Sequence, residues 1–123
     1  MAADPIVYCL TRDRDLAARV DERLSGAIAF FFNDAARLHA AVTLRAPDMV
    51  VVDTGAVRAE FGDAGLGPVF DFLRRRVPAA RLSVRPTVGV EHLVAAEAGV
   101  GVELLPADLG PCVEAVAAAC GCS

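Results

Sequence analysis

The chain has 123 residues, 55% of them hydrophobic, with 12 basic and 16 acidic side chains for a net charge of −4. That length suits one domain, 1–123, able to bury about two-thirds of its unfolded surface, and the apolar content excludes a disordered or fibrous chain. All twelve basic residues are arginines, and no run of them is interleaved with aromatics, so a nucleic-acid partner is not expected.

No apolar run approaches the ~18 residues of a membrane helix, and Met1-Ala2-Ala3-Asp4-Pro5 lacks the basic start of a signal peptide. The expectation is a cytoplasmic protein with no membrane partner. Cys9 lies inside an apolar run, while Cys112, Cys120 and Cys122 crowd the last helix and tail, a pattern of structural thiols in a reducing compartment. Cys120-Gly121-Cys122 lacks the C-x-x-C spacing and has no histidine nearby in sequence, so no metal centre is expected there.

Ile6-Val7-Tyr8-Cys9-Leu10 reads as a buried strand, and Thr11-Arg12-Asp13-Arg14-Asp15 as the loop and helix start that follow. Leu16, Val20 and Leu24 recur every four residues with charges between them, an amphipathic helix ending at Ser25-Gly26. A second apolar run, 27–32, precedes Asn33-Asp34, which caps a helix with Ala35, Leu38, Ala41, Val42 and Leu44 on its apolar side. Pro47 bars its continuation, and Met49-Val50-Val51-Val52-Asp53 is a β-branched strand that ends on a carboxylate.

Residues 54–67 carry four glycines and no clear period, which predicts a loop with at most one irregular turn. Pro68 suits a first helical turn, Val69, Phe70, Phe72, Leu73 and Val77 give that helix its apolar side, and Arg74-Arg75-Arg76 its last turn. A weak fourth strand over 81–84, a fourth helix over Glu91–Ala98 stopped by Gly99, a fifth strand over 101–105 and a final helix over 108–120 complete the chain. Five strands alternating with five helices imply a parallel sheet covered on both faces. The expected architecture is therefore a flavodoxin-like, doubly wound α/β/α sandwich of strand order 2-1-3-4-5.

This order of parts, with Pro47-Asp48-Met49-Val50-Val51-Val52-Asp53 and Ala95-Ala96-Glu97-Ala98-Gly99-Val100, resembles the receiver domains of bacterial two-component response regulators. The resemblance implies that Asp53 stands at the phosphoryl-accepting position. Receivers follow strand one with two acids that hold Mg²⁺; here that pair falls on Thr11-Arg12 or Arg12-Asp13, depending on a one-residue alignment choice. At most one such ligand, Asp13, is retained, so Mg²⁺ at Asp13 and Asp53 is a minor expectation and no cofactor is the main one. Arg12 could instead place a cation near Asp53.

The family's phosphate-contacting lysine corresponds to Leu105, followed by Pro106, and the chain has no lysine to replace it. The switch Ser/Thr position falls on Val84 or Arg85, with Ser83 and Thr87 as candidates under a shifted alignment. Asp53 and Asp13 also have plain structural readings, as a loop cap and a helix N-cap. His39 and His92 lack a nearby acid or cysteine partner, and neither a P-loop, a dinucleotide fingerprint nor a hydrolase elbow is present, so enzymatic activity is not expected.

From residue 86 to 123 there is no lysine or arginine, and the final helix carries only Asp108 and Glu114 as charges. A helix so poor in charge is expected to be covered on its outer side. Leu109, Val113, Val116 and His92 are thus candidate interface residues, on the fourth helix, fifth strand and fifth helix, for a second copy or a partner. The leading expectation is a degenerate, pseudo-receiver signalling domain working by protein contact. The alternatives are a response regulator phosphorylated at Asp53 by a sensor kinase or small donor, and a module binding a small anionic ligand at the strand ends through Asp53, Thr11, Arg12 and Arg85.

Overall fold

A computed structural model describes residues 4–121; Cys122 lies outside the described residues. Its elements in chain order are β1 (Ile6–Leu10), α1 (Arg14–Arg23), β2 (Ile28–Phe32), α2 (Ala35–Leu44), β3 (Met49–Asp53), α3 (Thr54–Phe61), a 3₁₀ turn (Gly62–Ala64), α4 (Leu66–Arg76), β4 (Arg81–Arg85), α5 (Glu91–Ala98), β5 (Val102–Leu104) and α6 (Leu109–Ala119). All strand pairings are parallel and the order is β2-β1-β3-β4-β5, as the alternation of elements required.

Strand periodicity divides the core into two layers. Tyr8, Leu10, Val50, Val52 and Val84 point to one face, where Leu38, Phe70, Leu73 and Val94 cover them. Val7, Cys9, Met49 and Val51 point to the other, beneath Leu16 and Val20 of α1 and Val113, Val116 and Ala117 of α6. Every residue of β1 and β3 is buried, because both are interior strands with helices on both sides.

The segment 54–67 is not the expected loop. Asp53 N-caps α3, its Oδ1 accepting from the Gly55 N–H at 3.4 Å, and Ala56 and Val57 bury the inner side of that helix. Glu60 on the same helix accepts the Ala35 N–H at 2.8 Å, so α3 also caps α2. The glycines that suggested a loop serve its end instead: Gly62 has φ +69°, and a Cβ on Gly65 would lie 2.6 Å from the Phe61 Cβ. The helices therefore number six among the described residues, and the first ends at Arg23 with Leu24 as its cap rather than at Ser25-Gly26.

The expected interface also needs correction. Val113 and Val116 are buried in the chain's own core, because their spacing puts them on the side of α6 that meets α1 and the sheet. The outer side of α6 carries Pro111, Glu114 and Ala118, and Arg23 of α1 donates to the Glu114 carboxylate at 2.9 Å. Leu109 is half-buried and His92 exposed. Val116→Arg should accordingly unfold the domain rather than free an interface, costing roughly 3–5 kcal/mol, the scale of an uncompensated buried charge. Chemical denaturation checks this, and a variant as stable as the wild type would contradict the placement.

Candidate functional site

The carboxyl ends of β1, β3 and β4 converge on one cluster of side chains. Parallel register sets Asp53 and Arg85 beside each other as the last residues of adjacent strands, with their side chains on the same face. Arg85 Nη1 lies 3.5 Å from Asp53 Oδ2 and donates to Asp13 Oδ2 at 2.9 Å, while its Nε donates to the Ala107 carbonyl at 3.0 Å. One guanidinium thus ties the β1–α1 loop, β3 and the β5–α6 loop to the end of β4.

Thr11 completes the arrangement. Its Oγ1 donates to Asp53 Oδ2 at 2.8 Å and accepts the Asp13 N–H at 3.0 Å, and its side chain is buried with that of Asp53. Thr54 Oγ1 donates to the Arg85 carbonyl at 2.7 Å, which fixes the backbone of the arginine as well as its head group. Asp13 has two roles: Oδ1 accepts from the Asp15 and Leu16 amides as the N-cap of α1, and Oδ2 holds Arg85. The Arg85 hydrogen bond and these amides hold the Asp13 carboxyl below its ordinary value of 3.8, against an opposing contribution from burial.

The other sequence candidates are dispersed. Arg12 is exposed and donates through Nε to the Asn33 carbonyl at 2.9 Å, so the cation beside Asp53 is Arg85 and not Arg12. Leu105 is buried in the α1/α6 layer and its N–H donates to the Val84 carbonyl at 2.8 Å, leaving an apolar side chain where a lysine was sought. Val84 lies in the opposite core layer, and Ser83 is fully buried with its hydroxyl donating to the Val50 carbonyl. Thr87 lines an open cleft of about 420 Å³, together with Arg12, Asp13, Asp53, Arg85 and Ala107. Of the four switch candidates, Arg85 and Thr87 reach the strand-end cleft.

Burial raises the Cys9 thiol far above its ordinary range and pushes Cys112 up to about 11. Both thiols are therefore inert packing groups at neutral pH. Among the described residues, no three His, Cys, Asp or Glu side chains gather as a metal-ligand group, and no helix is long and apolar enough to cross a membrane.

Two solved structures resemble this arrangement along nearly its whole length. A signal receiver domain of an HD domain-containing protein from Pseudomonas fluorescens matches with a TM-score of 0.75 at 15% identity, over 98% of this chain and 90% of that one. The chain has the receiver fold. A putative pilus assembly-related protein from Burkholderia pseudomallei is similar to it at a TM-score of 0.63 and 22% identity, over 100% of this chain and 95% of that one. No protein-family model and no curated protein matches the sequence. Within this receiver fold, Asp53 ends the third strand as the sequence resemblance implied.

The Arg85 bridge has a defined pH behaviour. Because the folded-state pKa of Asp13 is depressed, its contribution to stability is present above the ordinary aspartate value and is lost as pH falls through the folded value. Arg85→Met leaves two carboxylates facing each other and should cost on the order of 2 kcal/mol at pH 7. The gap from wild type should narrow below about pH 4, as acid protonates Asp13 through its depressed folded value. Urea denaturation at both pH values measures it; a gap independent of pH would contradict the bridge.

Proposed function

We propose that this chain is a signalling or regulatory domain of receiver fold that works by protein contact and not by Mg²⁺-dependent phosphorylation of Asp53, and that it is not an enzyme. The observation that carries this reading is the guanidinium of Arg85 between Asp13 and Asp53, 2.9 and 3.5 Å from their Oδ2 atoms. Phosphoryl transfer to a carboxylate needs dense positive charge at the developing phosphate, usually a divalent ion held by several oxygen ligands. Here the two retained acids already share a cation, and Arg12 holds the Asn33 carbonyl.

A Mg²⁺ ion does not fit this donor set. To coordinate Asp13 and Asp53 it would have to displace Arg85, a side chain only 14% exposed and also bonded to the Ala107 carbonyl. The charges of Arg12, Arg85, Asp13 and Asp53 cancel, so the cleft has no net attraction for a small anion, which speaks against the ligand-binding alternative. A cytoplasmic setting agrees with the two buried, unpaired thiols.

In this reading the partner surface is formed by α5 and β5 with the start of α6. Leu93, Val100 and Leu104 are exposed there beside His92, with Glu91 and Glu97 around them, Glu103 held by Arg81, and Arg74 donating to the Val100 carbonyl. Exposed apolar side chains within a polar, mixed-charge rim suit a protein partner.

The decisive test is the backbone amide spectrum of the wild type with Mg²⁺ and beryllofluoride, a mimic of the acyl phosphate. Resonances of residues 53–55 and 85–87 should stay in place. Saturable shifts there would overturn the reading and restore Asp53 as a phosphoryl acceptor.

A further inference from the structure

The two edges of the sheet are unlike. β5 has three residues and carries Glu103, which is paired with Arg81 of β4, the short and charged form by which proteins protect an edge. β2 has five residues, Ile-Ala-Phe-Phe-Phe, with no charge, proline or bulge. Ile28 is 42% and Phe30 47% exposed on this strand.

The hydrogen bonds of β2 to β1 fix what its outer edge offers. Ile28 N–H donates to the Pro5 carbonyl and the Phe32 carbonyl accepts from Thr11 N–H, so residues 28, 30 and 32 turn their backbone groups inward. Ala29 and Phe31 consequently turn their N–H and C=O groups outward. These two sites lie symmetrically about Phe30, so a second copy can satisfy both. A second copy laid antiparallel sets Ala29 opposite Phe31 and Phe31 opposite Ala29, each pair exchanging two hydrogen bonds. Phe30 then meets its own copy in the closer, non-hydrogen-bonded position.

Charge permits the same alignment. It sets Ile28 against Phe32 and Asp34 against Gly26, so no like charges meet, whereas a parallel alignment would bring Asp34 onto Asp34. We propose that the chain self-associates through β2, joining two five-stranded sheets into one continuous sheet across a two-fold axis at Phe30. The contact uses the edge opposite the α5–β5 surface, so both can be occupied at once. Each copy brings one half-exposed phenylalanine and one half-exposed isoleucine to the contact, so the dimer is weak and exchanges rapidly.

Sedimentation equilibrium of the full chain from about 10 μM to 1 mM tests this, the range in which so small an interface associates. The wild type should pass from monomer to dimer, Phe30→Lys should weaken association at least about tenfold, and Leu93→Lys on the other surface should leave it unchanged. Amide hydrogen exchange on the wild type needs no variant: Ala29 and Phe31 should become protected as concentration rises. A wild type that stays monomeric, a dimer that survives Phe30→Lys but not Leu93→Lys, or exchange at residues 29 and 31 that ignores concentration would each overturn the proposal.

Discussion

The shared guanidinium of Arg85 is the interaction on which the strand-end surface depends. It bridges Asp13 and Asp53 and reaches the Ala107 carbonyl, so three connections, two of which carry facing acids, are drawn together at one end of the sheet. A charge so little exposed is costly without partners, and here each partner is itself held: Asp53 by Thr11, Asp13 by its N-cap bonds to α1. The arrangement is self-contained.

Two neighbouring side chains are likewise committed to structure. Leu105, which the sequence resemblance aligns with a lysine, contributes to the α1/α6 core layer. Thr11 likewise serves as a neutral donor to Asp53 where a second acid would add charge that one guanidinium could not balance. The helix α3 that follows Asp53 takes one of its carboxylate oxygens as a cap, which further commits that side chain to structure.

The fold was legible because its first three strands are dense β-branched or aromatic runs bounded by turn residues, and of these three only the third ends on a charge, Asp53. The pairing of Asp53 with Arg85 was not, since it depends on the register of β3 with β4, and 31 residues separate the two hydrogen-bonded positions Thr54 and Arg85. Glycines concealed α3: Gly62 and Gly65 lie just beyond the helix, where they end it and permit close packing, yet in sequence they merge with Gly55 into one apparent loop. Val113 and Val116 misled for another reason. A helix poor in charge resembles one that is covered outside, but these valines only mark its inner side.

Divalent-cation binding by the wild type and Arg85→Ala, followed through water-proton relaxation with Mn²⁺, tests most directly whether Arg85 occupies the cation position. Manganese shares the oxygen preference of magnesium and reports on itself. The account predicts that the wild type takes up no Mn²⁺ at millimolar concentration, and that Arg85→Ala, with Asp13 and Asp53 released, acquires a site that Asp13→Asn in the same chain abolishes. A wild type that binds Mn²⁺ as well as the variant does would contradict it.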